Sequence, residues 1–247
     1  MALIKEIYKP AMMAGKVYAR PYGSAAARVP VGNCLELVLS HEEDVIRQPD
    51  MTAPGGGTYA KVSRISQVNV AMKLADWNPV NFARSTFGTA GTVAAGNVVD
   101  APYECVLGGL IRLPHPQPST VVVKVGVDTI DAEGNYEVRA GGIYIPEEPA
   151  DLLAGDDLLI SYAYPEHVNV EALTTVAPEL ELFFEGLNEA QSGKPYLIDI
   201  WRVGSGIVQQ LGLIQSEFGT LDVNGEVISD PLKTGVGISK YYRAQMV

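Results

Sequence analysis

Apolar and polar residues alternate with a period of two along several segments of the chain, and this spacing predicts β-strands. Two such segments come early, with apolar positions at Leu35, Leu37 and Leu39 and at Val68, Val70, Met72 and Leu74. The second segment alternates more regularly, because each apolar residue from Val68 to Leu74 is separated from the next by one intervening residue. A strand of this kind covers a core with one side and faces solvent with the other.

One helix is predicted directly after the second strand, between Asn78 and Gly88. Asn78 is a favoured N-cap, and Pro79 suits the first helical position because no partner is needed there for an N–H. Gly88 is placed to end the helix as the residue with a left-handed backbone. The spacing predicts a helix of two to three turns.

The segment from Gly88 to Pro165 has a different pattern, with short strand candidates separated by turns rich in Pro, Gly and Asp. The candidates are Tyr103–Leu107, Val121–Val127, Tyr136–Arg139, Ile143–Ile145 and Leu158–Tyr164. This segment carries 11 acidic and 3 basic residues, a net charge of −8 in a chain whose net charge is −11. We therefore predict an acidic β-rich unit at 88–165, either Ig-like or a sheet extension, inserted into a domain formed by 1–87 and 166–247.

Strand patterns resume after Pro165, and they predict an all-β fold. The candidates are a strand centred on Leu180–Phe184, followed by Tyr196–Val203, Ile207–Ile214, Leu221–Ile228 and Val236–Ala244. Gly204–Gly206 is the predicted turn after one strand, and Asn224-Gly225 is a strong hairpin signal. The expected architecture is a β-sandwich or barrel with one short helix and the inserted β unit.

Composition limits the possible functions. Hydrophobic residues make up 47% of the chain and charged residues 19%, which is typical of a globular protein. We expect no signal peptide and no membrane span, because no apolar run approaches the length of about 20 residues that a bilayer requires. Cys34 and Cys105 are expected to be buried free thiols in a protein made in a reducing cytoplasm. The negative charge disfavours a surface that binds nucleic acid.

Candidate chemistry is sparse. His41, His115 and His167 are the three histidines, and none lies in a recognisable metal or catalytic motif. The glycines Gly55–Gly57 lack the spacing of a phosphate-binding loop. We therefore predict that the protein is not an enzyme and has no catalytic residue, cofactor site or metal site.

The chain resembles the major tail tube protein of long-tailed phages in three segments: VGNCLELVLSHEED, QPDMTAPGGGTYAKVSRISQVNVAMKLADWNPVNFA and the closing LDVNGEVISDPLKTGVGISKYYRAQMV. The resemblance covers 1–87 and 166–247 and leaves out the insertion. It implies a β-sandwich protomer that forms hexameric rings, which stack into a hollow tube that conducts DNA during ejection. The implied location is the virion tail, after synthesis in the cytoplasm of a bacterial host. The implied partners are further copies and the tape measure, tail terminator and distal tail proteins, while DNA passes without specific binding and no membrane is involved.

Two candidate surfaces follow from this resemblance. Residues Ser40–Lys61 are expected to form a long polar loop that bridges successive rings. The residues that we assign to this loop contact are Glu42, Glu43, Asp44, Arg47, Asp50, Met51, Pro54, Gly55, Gly56 and Gly57. Glu179 and Glu181 share one face of a strand and are candidates to line the channel, where like charge would repel DNA.

Two alternatives remain open. A tail-associated β-sandwich module that binds host glycans would display exposed aromatic residues, whereas Tyr136, Tyr144, Tyr162 and Tyr164 fall within strand patterns. A hydrolase with an unfamiliar site is the least favoured, because no nucleophile–base pair is evident. For a tube protein, we expect the acidic insertion to lie outside the channel, on a tail without a contractile sheath.

Overall fold

The computed structural model describes residues 10–52 and 54–247. The chain divides into two compact units, unit 1 from Met1–Thr89 with Val170–Val247 and unit 2 from Ala90–Asn169. The domain boundaries proposed from the sequence were 88 and 165. Strands dominate both units, so the predicted all-β class is confirmed. No helix among the described residues is long and apolar enough to cross a membrane.

The elements in chain order are β1 (Met13–Pro21), β2 (Val29–Pro30), β3 (Cys34–Pro49), β4 (Thr58–Leu74), α1 (Pro79–Ser85), β5 (Thr89–Val93), β6 (Gly96–Glu104), β7 (Leu110–Arg112), β8 (Ser119–Val125), β9 (Asp128–Ile130), β10 (Glu137–Arg139), β11 (Gly142–Tyr144), β12 (Asp157–Tyr164), β13 (His167–Glu171), β14 (Glu179–Asn188), β15 (Lys194–Ser205), β16 (Leu221–Val227) and β17 (Tyr242–Met246). A 3₁₀ turn at Glu189–Gln191 follows β14. Strands β5 and β13 pair with each other.

Unit 1 is built on one antiparallel sheet with the strand order β2-β1-β14-β15-β16-β4-β3, and β17 pairs with β15 beside this path. Its core includes Val17, Leu182, Ile200, Val203 and Leu221, which are at most 1% exposed. The alternation predicted for Val68–Leu74 is confirmed, because all four apolar residues of that run are buried in this core.

Helix α1 begins as predicted. The Asn78 side chain accepts a hydrogen bond from the N–H of Asn81 at 2.8 Å, so Asn78 is the N-cap. The predicted end is wrong by one residue, since Phe87, with φ of 50°, occupies the left-handed position that was assigned to Gly88. The N–H of Gly88 donates to the carbonyl of Ala83 at 2.7 Å, as in a Schellman motif.

Unit 2 contains a four-stranded sheet, ordered β6-β12-β8-β9, and a three-stranded sheet, ordered β10-β11-β7. Its own core includes Leu113, Ile143, Ile145, Leu158 and Ile160, all at most 1% exposed. Four of the five strand candidates fall on β8, β10, β11 and β12, whereas Tyr103–Leu107 overlaps β6 only at Tyr103 and Glu104. The small-residue segment before Tyr103, in which the sequence pattern gave no strand candidate, forms β5 and most of β6.

Four expectations near the C-terminus are wrong. Asn224-Gly225 does not form a hairpin, because β16 runs straight through it and pairs with both β4 and β15. Gly204–Gly206 is not the predicted turn, since β15 continues to Ser205. Residues Ile207–Ile214 form no strand, and the last strand is β17, which starts at Tyr242 and not at Val236.

The absence of a turn at Gly225 has a steric reason. A Cβ atom at this position would lie 2.8 Å from the carbonyl oxygen of Gly204 and 3.0 Å from a methyl group of Val203. Glycine therefore serves the close approach of β16 to β15, and its backbone hydrogen bonds are used by neighbours on both sides. Pairing within the sheet outweighs the local turn preference of the dipeptide.

Candidate assembly surface

The segment expected to be a long loop is mostly a β-ribbon, and this corrects the prediction for Ser40–Lys61. Strands β3 and β4 remain paired from Cys34 with Leu74 out to Pro49 with Thr58. The connecting turn is restricted to Asp50–Gly57. We call the outer part of this hairpin, residues 42–66, the ribbon. Of its described residues, all are exposed except Val45 and Asp50, which are half-buried.

The sequence contains a signal for this ribbon that the loop prediction overlooked. β-branched residues recur in both arms, at Val45 and Ile46 and again at Val62 and Ile65. Such residues favour strands. The arms lack a clear apolar and polar alternation because neither side of the ribbon covers a core of its own chain. The composition of this segment is therefore typical of a loop, although its two arms pair as strands.

One side of the ribbon, which we call the isoleucine–valine face, consists of Asp44, Ile46, Gln48, Ala60, Val62 and Arg64. Ile46 lies directly opposite Val62, and these side chains are 57% and 51% exposed. Asp44 lies directly opposite Arg64, a favourable pairing of opposite charges across the strands.

The other side, which we call the arginine–lysine face, consists of Glu43, Val45, Arg47, Lys61, Ser63 and Ile65. Arg47 lies directly opposite Lys61, so two like charges are neighbours. Glu43 lies opposite Ile65, which is 62% exposed. The neighbouring Glu42 accepts a hydrogen bond from the amide of Asn69 at 3.2 Å.

The turn at the ribbon tip is ordered by its first residue. The Asp50 carboxylate accepts hydrogen bonds from the hydroxyl of Thr52 at 2.6 Å and from its N–H at 2.9 Å. These bonds hold the pKa of Asp50 below its usual value. The N–H of Asp50 donates to the carbonyl of Gly57 at 2.9 Å. Gly55, Gly56 and Gly57 have φ values of 111°, 67° and 152°, which only glycine adopts without strain.

Two of the assigned contact residues project at this tip. Met51 is 85% exposed, and Pro54 is also exposed. The structure therefore places all ten residues assigned to the loop contact on one protrusion, distributed over its base, its two faces and its tip. A thioether at the end of such a protrusion adapts well to an irregular partner surface.

The two candidate channel residues have a different environment from the one we expected. Glu179 accepts two hydrogen bonds from Arg202, at 2.7 and 2.9 Å, and this pairing lowers the pKa of Glu179. Glu181 accepts a hydrogen bond from Nε of Arg20 at 2.6 Å, and Arg28 lies 3.7 Å away. Both carboxylates are therefore compensated by arginines.

A third carboxylate extends this charged network. Asp199 lies 3.5 Å from Arg28 and 3.0 Å from Arg243. The network that links Arg20, Glu181, Arg28, Asp199 and Arg243 holds two carboxylates and three guanidinium groups, a net charge of +1, and the separate Glu179–Arg202 pair is neutral. The expected row of like negative charge is not present on this strand face.

The histidines take part in aromatic contacts. His115 stacks on Tyr164 with ring centroids 3.6 Å apart, and its Nδ1 lies 2.9 Å from the hydroxyl of Tyr162. Burial, together with the nearby His167, lowers the pKa of His115. His41 lies 3.0 Å from the hydroxyl of Tyr242. Within residues 10–52 and 54–247, no three His, Cys, Asp or Glu residues are grouped as a metal would require.

The cysteines are both free thiols, as expected, but they differ in burial. Cys105 is buried in the core of unit 2, whereas Cys34 is only half-buried. Burial raises the pKa of each thiol. Both groups are therefore held in the protonated form, which is the poorer nucleophile and metal ligand.

The chain matches a known protein family over most of its length. A family model matches residues 10–245. The chain belongs to the family described as protein of unknown function UCP028589. The match covers both units of the structure, so family membership includes the inserted unit as well as the sheet that carries the ribbon. No curated protein matches the chain significantly.

Proposed function

We propose that this chain is a structural virion protein, the major tail tube protein of a long-tailed phage. In this proposal, copies form hexameric rings that stack into a hollow tube, which conducts DNA during ejection. The protein is made in the cytoplasm of the bacterial host and ends in the virion tail. The resemblance of the two outer segments of the sequence supports this proposal, and the ribbon is the structural observation that carries it.

The ribbon is a two-stranded element that no other described residue of its own unit covers. Isolated two-stranded hairpins are at best marginally stable in water. This one exposes Ile46, Val62 and Ile65 along its length and Met51 and Tyr59 near its tip, each more than half exposed. Exposed apolar side chains on a protruding strand pair are typical of a surface that becomes buried in an assembly.

The sheet edges support the same proposal. β3 is the outer strand of the sheet of unit 1 and pairs only with β4 among the described residues, so one side of this 16-residue strand is open within that part of the chain. An open edge of this length pairs readily with another chain, and a closed ring of identical copies covers such edges in a controlled way. Repetition of one contact between identical subunits requires no other component.

The proposed partners are further copies, with the tape measure, tail terminator and distal tail proteins at the ends of the tube. DNA passes through the channel without specific binding. The net charge of −11 supports this, because a wall that carries no excess of cations does not hold phosphate groups. We do not assign Glu179 and Glu181 to the channel wall on the basis of their charge, since arginines compensate both carboxylates.

The test compares the purified wild-type protein with a variant in which Asp50–Gly57 is replaced by a two-residue turn. Negative-stain microscopy of the wild type is expected to show rings, or tubes whose axial repeat is about the thickness of one protomer. The variant is expected to remain folded, as judged by circular dichroism, and to form no tubes. Dispersed wild-type monomers at high concentration contradict the proposed function, and normal tubes of the variant contradict the role of the tip.

The alternative function, a host-binding module on the tail, receives less support from the structure. Such a module needs exposed aromatic side chains on one surface. Tyr136 and Tyr162 are 7% and 2% exposed, and Tyr144 and Tyr164 are half-buried. The ring of Tyr164 is covered by His115, and that of Tyr144 by Arg139. These contacts leave little free aromatic surface on these four tyrosines.

A further inference from the structure

Charge is distributed unevenly along the ribbon. Its base carries Glu42, Glu43 and Asp44 in succession. The segment 45–64 carries three basic residues and one acidic residue, a net charge of +2 in a chain whose net charge is −11. The ribbon is therefore acidic at its base and basic over its outer part, so its two ends carry opposite charge.

On the arginine–lysine face, charged side chains of both signs have no partner among the described residues. Arg47 and Lys61 are exposed, lie directly opposite each other and make no ion pair with another described residue. Like charges at directly opposed positions destabilise a strand pair. The Glu43 carboxylate makes no hydrogen bond or ion pair within the described part of the chain, and the residue opposite Glu43 is Ile65.

The isoleucine–valine face differs, because its two charges are opposite in sign and occupy directly opposed positions. Asp44 lies opposite Arg64 there, at the same level of the ribbon. Glu42 is also engaged, through the amide of Asn69. The unmatched charges are thus confined to one face, with the anion near the base and the two cations near the tip.

We propose that Arg47 and Lys61 bind Glu43 of a second copy of this chain, in a head-to-tail contact between ribbons. The inference rests on the proposed function and names the contact that orders successive copies. Glu43 and Arg47 are four residues apart on one strand, a distance of about 13 Å. A neighbouring ribbon displaced by about this distance places its Glu43 beside the cationic pair. Val45, between the charges, and Ile65, opposite Glu43, then form the apolar part of the contact.

A second copy is the partner because it supplies the complementary group on the same surface. The contact uses different residues on its two sides, so it is heterologous and generates a ring or an open stack of copies, not a closed dimer. Two ribbons that lie antiparallel would satisfy the same charges in a closed dimer. The size of the assembly distinguishes these two arrangements.

The test uses charge exchange in the full-length protein. The first variant, R47E/K61E, places three carboxylates against one another in the contact. The second, E43K/R47E/K61E, exchanges the signs of all three residues and restores opposite charges. A control, K16E/K194E, introduces the same change in net charge at two exposed positions of unit 1 away from the ribbon. Assembly is followed by sedimentation and negative-stain microscopy at about 0.05 M and about 0.5 M salt, on either side of the concentration at which the Debye length is about 10 Å.

The expected result is a critical concentration for assembly that rises at least about tenfold in R47E/K61E at low salt. E43K/R47E/K61E is expected to return to within about threefold of the wild type, as is K16E/K194E. High salt is expected to weaken the wild-type assembly and to reduce the difference between the variants.

The outcomes separate this inference from the function on which it rests. Wild-type tubes with an unchanged R47E/K61E variant overturn the ionic contact and leave the tube function in place. Loss of assembly in R47E/K61E without recovery in the triple variant overturns the pairing with Glu43. A wild-type dimer that R47E/K61E abolishes supports the ionic contact but overturns its head-to-tail arrangement and the tube. Wild-type monomers under every condition overturn both proposals.

Discussion

Truncation of the apolar pair on the isoleucine–valine face tests whether the ribbon is buried in the assembly. The change is Ile46→Ala with Val62→Ala, two residues that lie directly opposite each other. In the protomer they are 57% and 51% exposed, so about half of each side chain remains to be covered by a partner. Complete burial of a side chain of this size stabilises by about 1.5–3 kcal/mol, so covering the exposed half gives about 1 kcal/mol for each residue.

The two truncations together therefore cost about 2 kcal/mol per contact, which raises the critical concentration for assembly about 30-fold. The stability of the protomer is expected to change little, because neither side chain lies in the core of unit 1. Sedimentation across a concentration series measures the first quantity, and thermal unfolding of dilute protein measures the second.

A matched control truncates two exposed valines of unit 2, Val127→Ala with Val138→Ala. It removes apolar surface of a similar kind but none from the ribbon. The reasoning is refuted if the ribbon variant assembles within about threefold of the wild-type critical concentration while remaining folded. A ribbon variant that unfolds at a much lower temperature contradicts the assignment of these residues to the protomer surface.

Two further predictions concern the protomer itself. Glu181→Gln is expected to lower the free energy of urea unfolding by about 1.5–3 kcal/mol, because Arg20 and Arg28 lose their ionised partner; Glu185→Gln, whose partner is the neutral hydroxyl of Tyr18, is the control and is expected to cost less. The stability of unit 2 is expected to fall as the pH drops below the ordinary histidine value of 6.5. Burial and His167 lower the pKa of His115 in the folded state, so the unfolded chain takes up the proton first and acid favours unfolding. His115→Phe keeps an aromatic ring against Tyr164 and is expected to weaken this pH dependence, as measured by the unfolding midpoint at pH values above and below 6.5. An unchanged midpoint in the wild type across that range would contradict the assignment of the titration to His115.

Several local features of the structure could be read directly from the sequence. The buried side of β4 from Val68 to Leu74 follows from alternation alone, because each side chain on one face of a strand meets the same environment. The start of α1 follows from Asn78, whose side chain accepts a hydrogen bond from a backbone N–H, and from Pro79, which has no backbone N–H that needs a partner. The sequence also groups the ten residues assigned to the loop contact, because they lie close to one another in the chain.

Other features depended on partners distant in the sequence. Glu179 and Glu181 were read as a row of like charge because their arginine partners lie elsewhere: Arg20 and Arg28 are more than 150 positions away from Glu181. Asn224-Gly225 carries a strong turn signal, yet strands on both sides of it use its backbone hydrogen bonds. The sequence alone could not reveal which strands would occupy those sides.

The ribbon shows this division most clearly. The sequence by itself determined its composition: a Gly-rich tip, β-branched residues in both arms, and acid at the base with basic residues beyond. Only the tertiary structure decided that the arms pair and that Arg47 lies opposite Lys61 while Asp44 lies opposite Arg64. The physical reason is that strand register assigns each side chain to a face, and a shift of one residue would exchange the two faces.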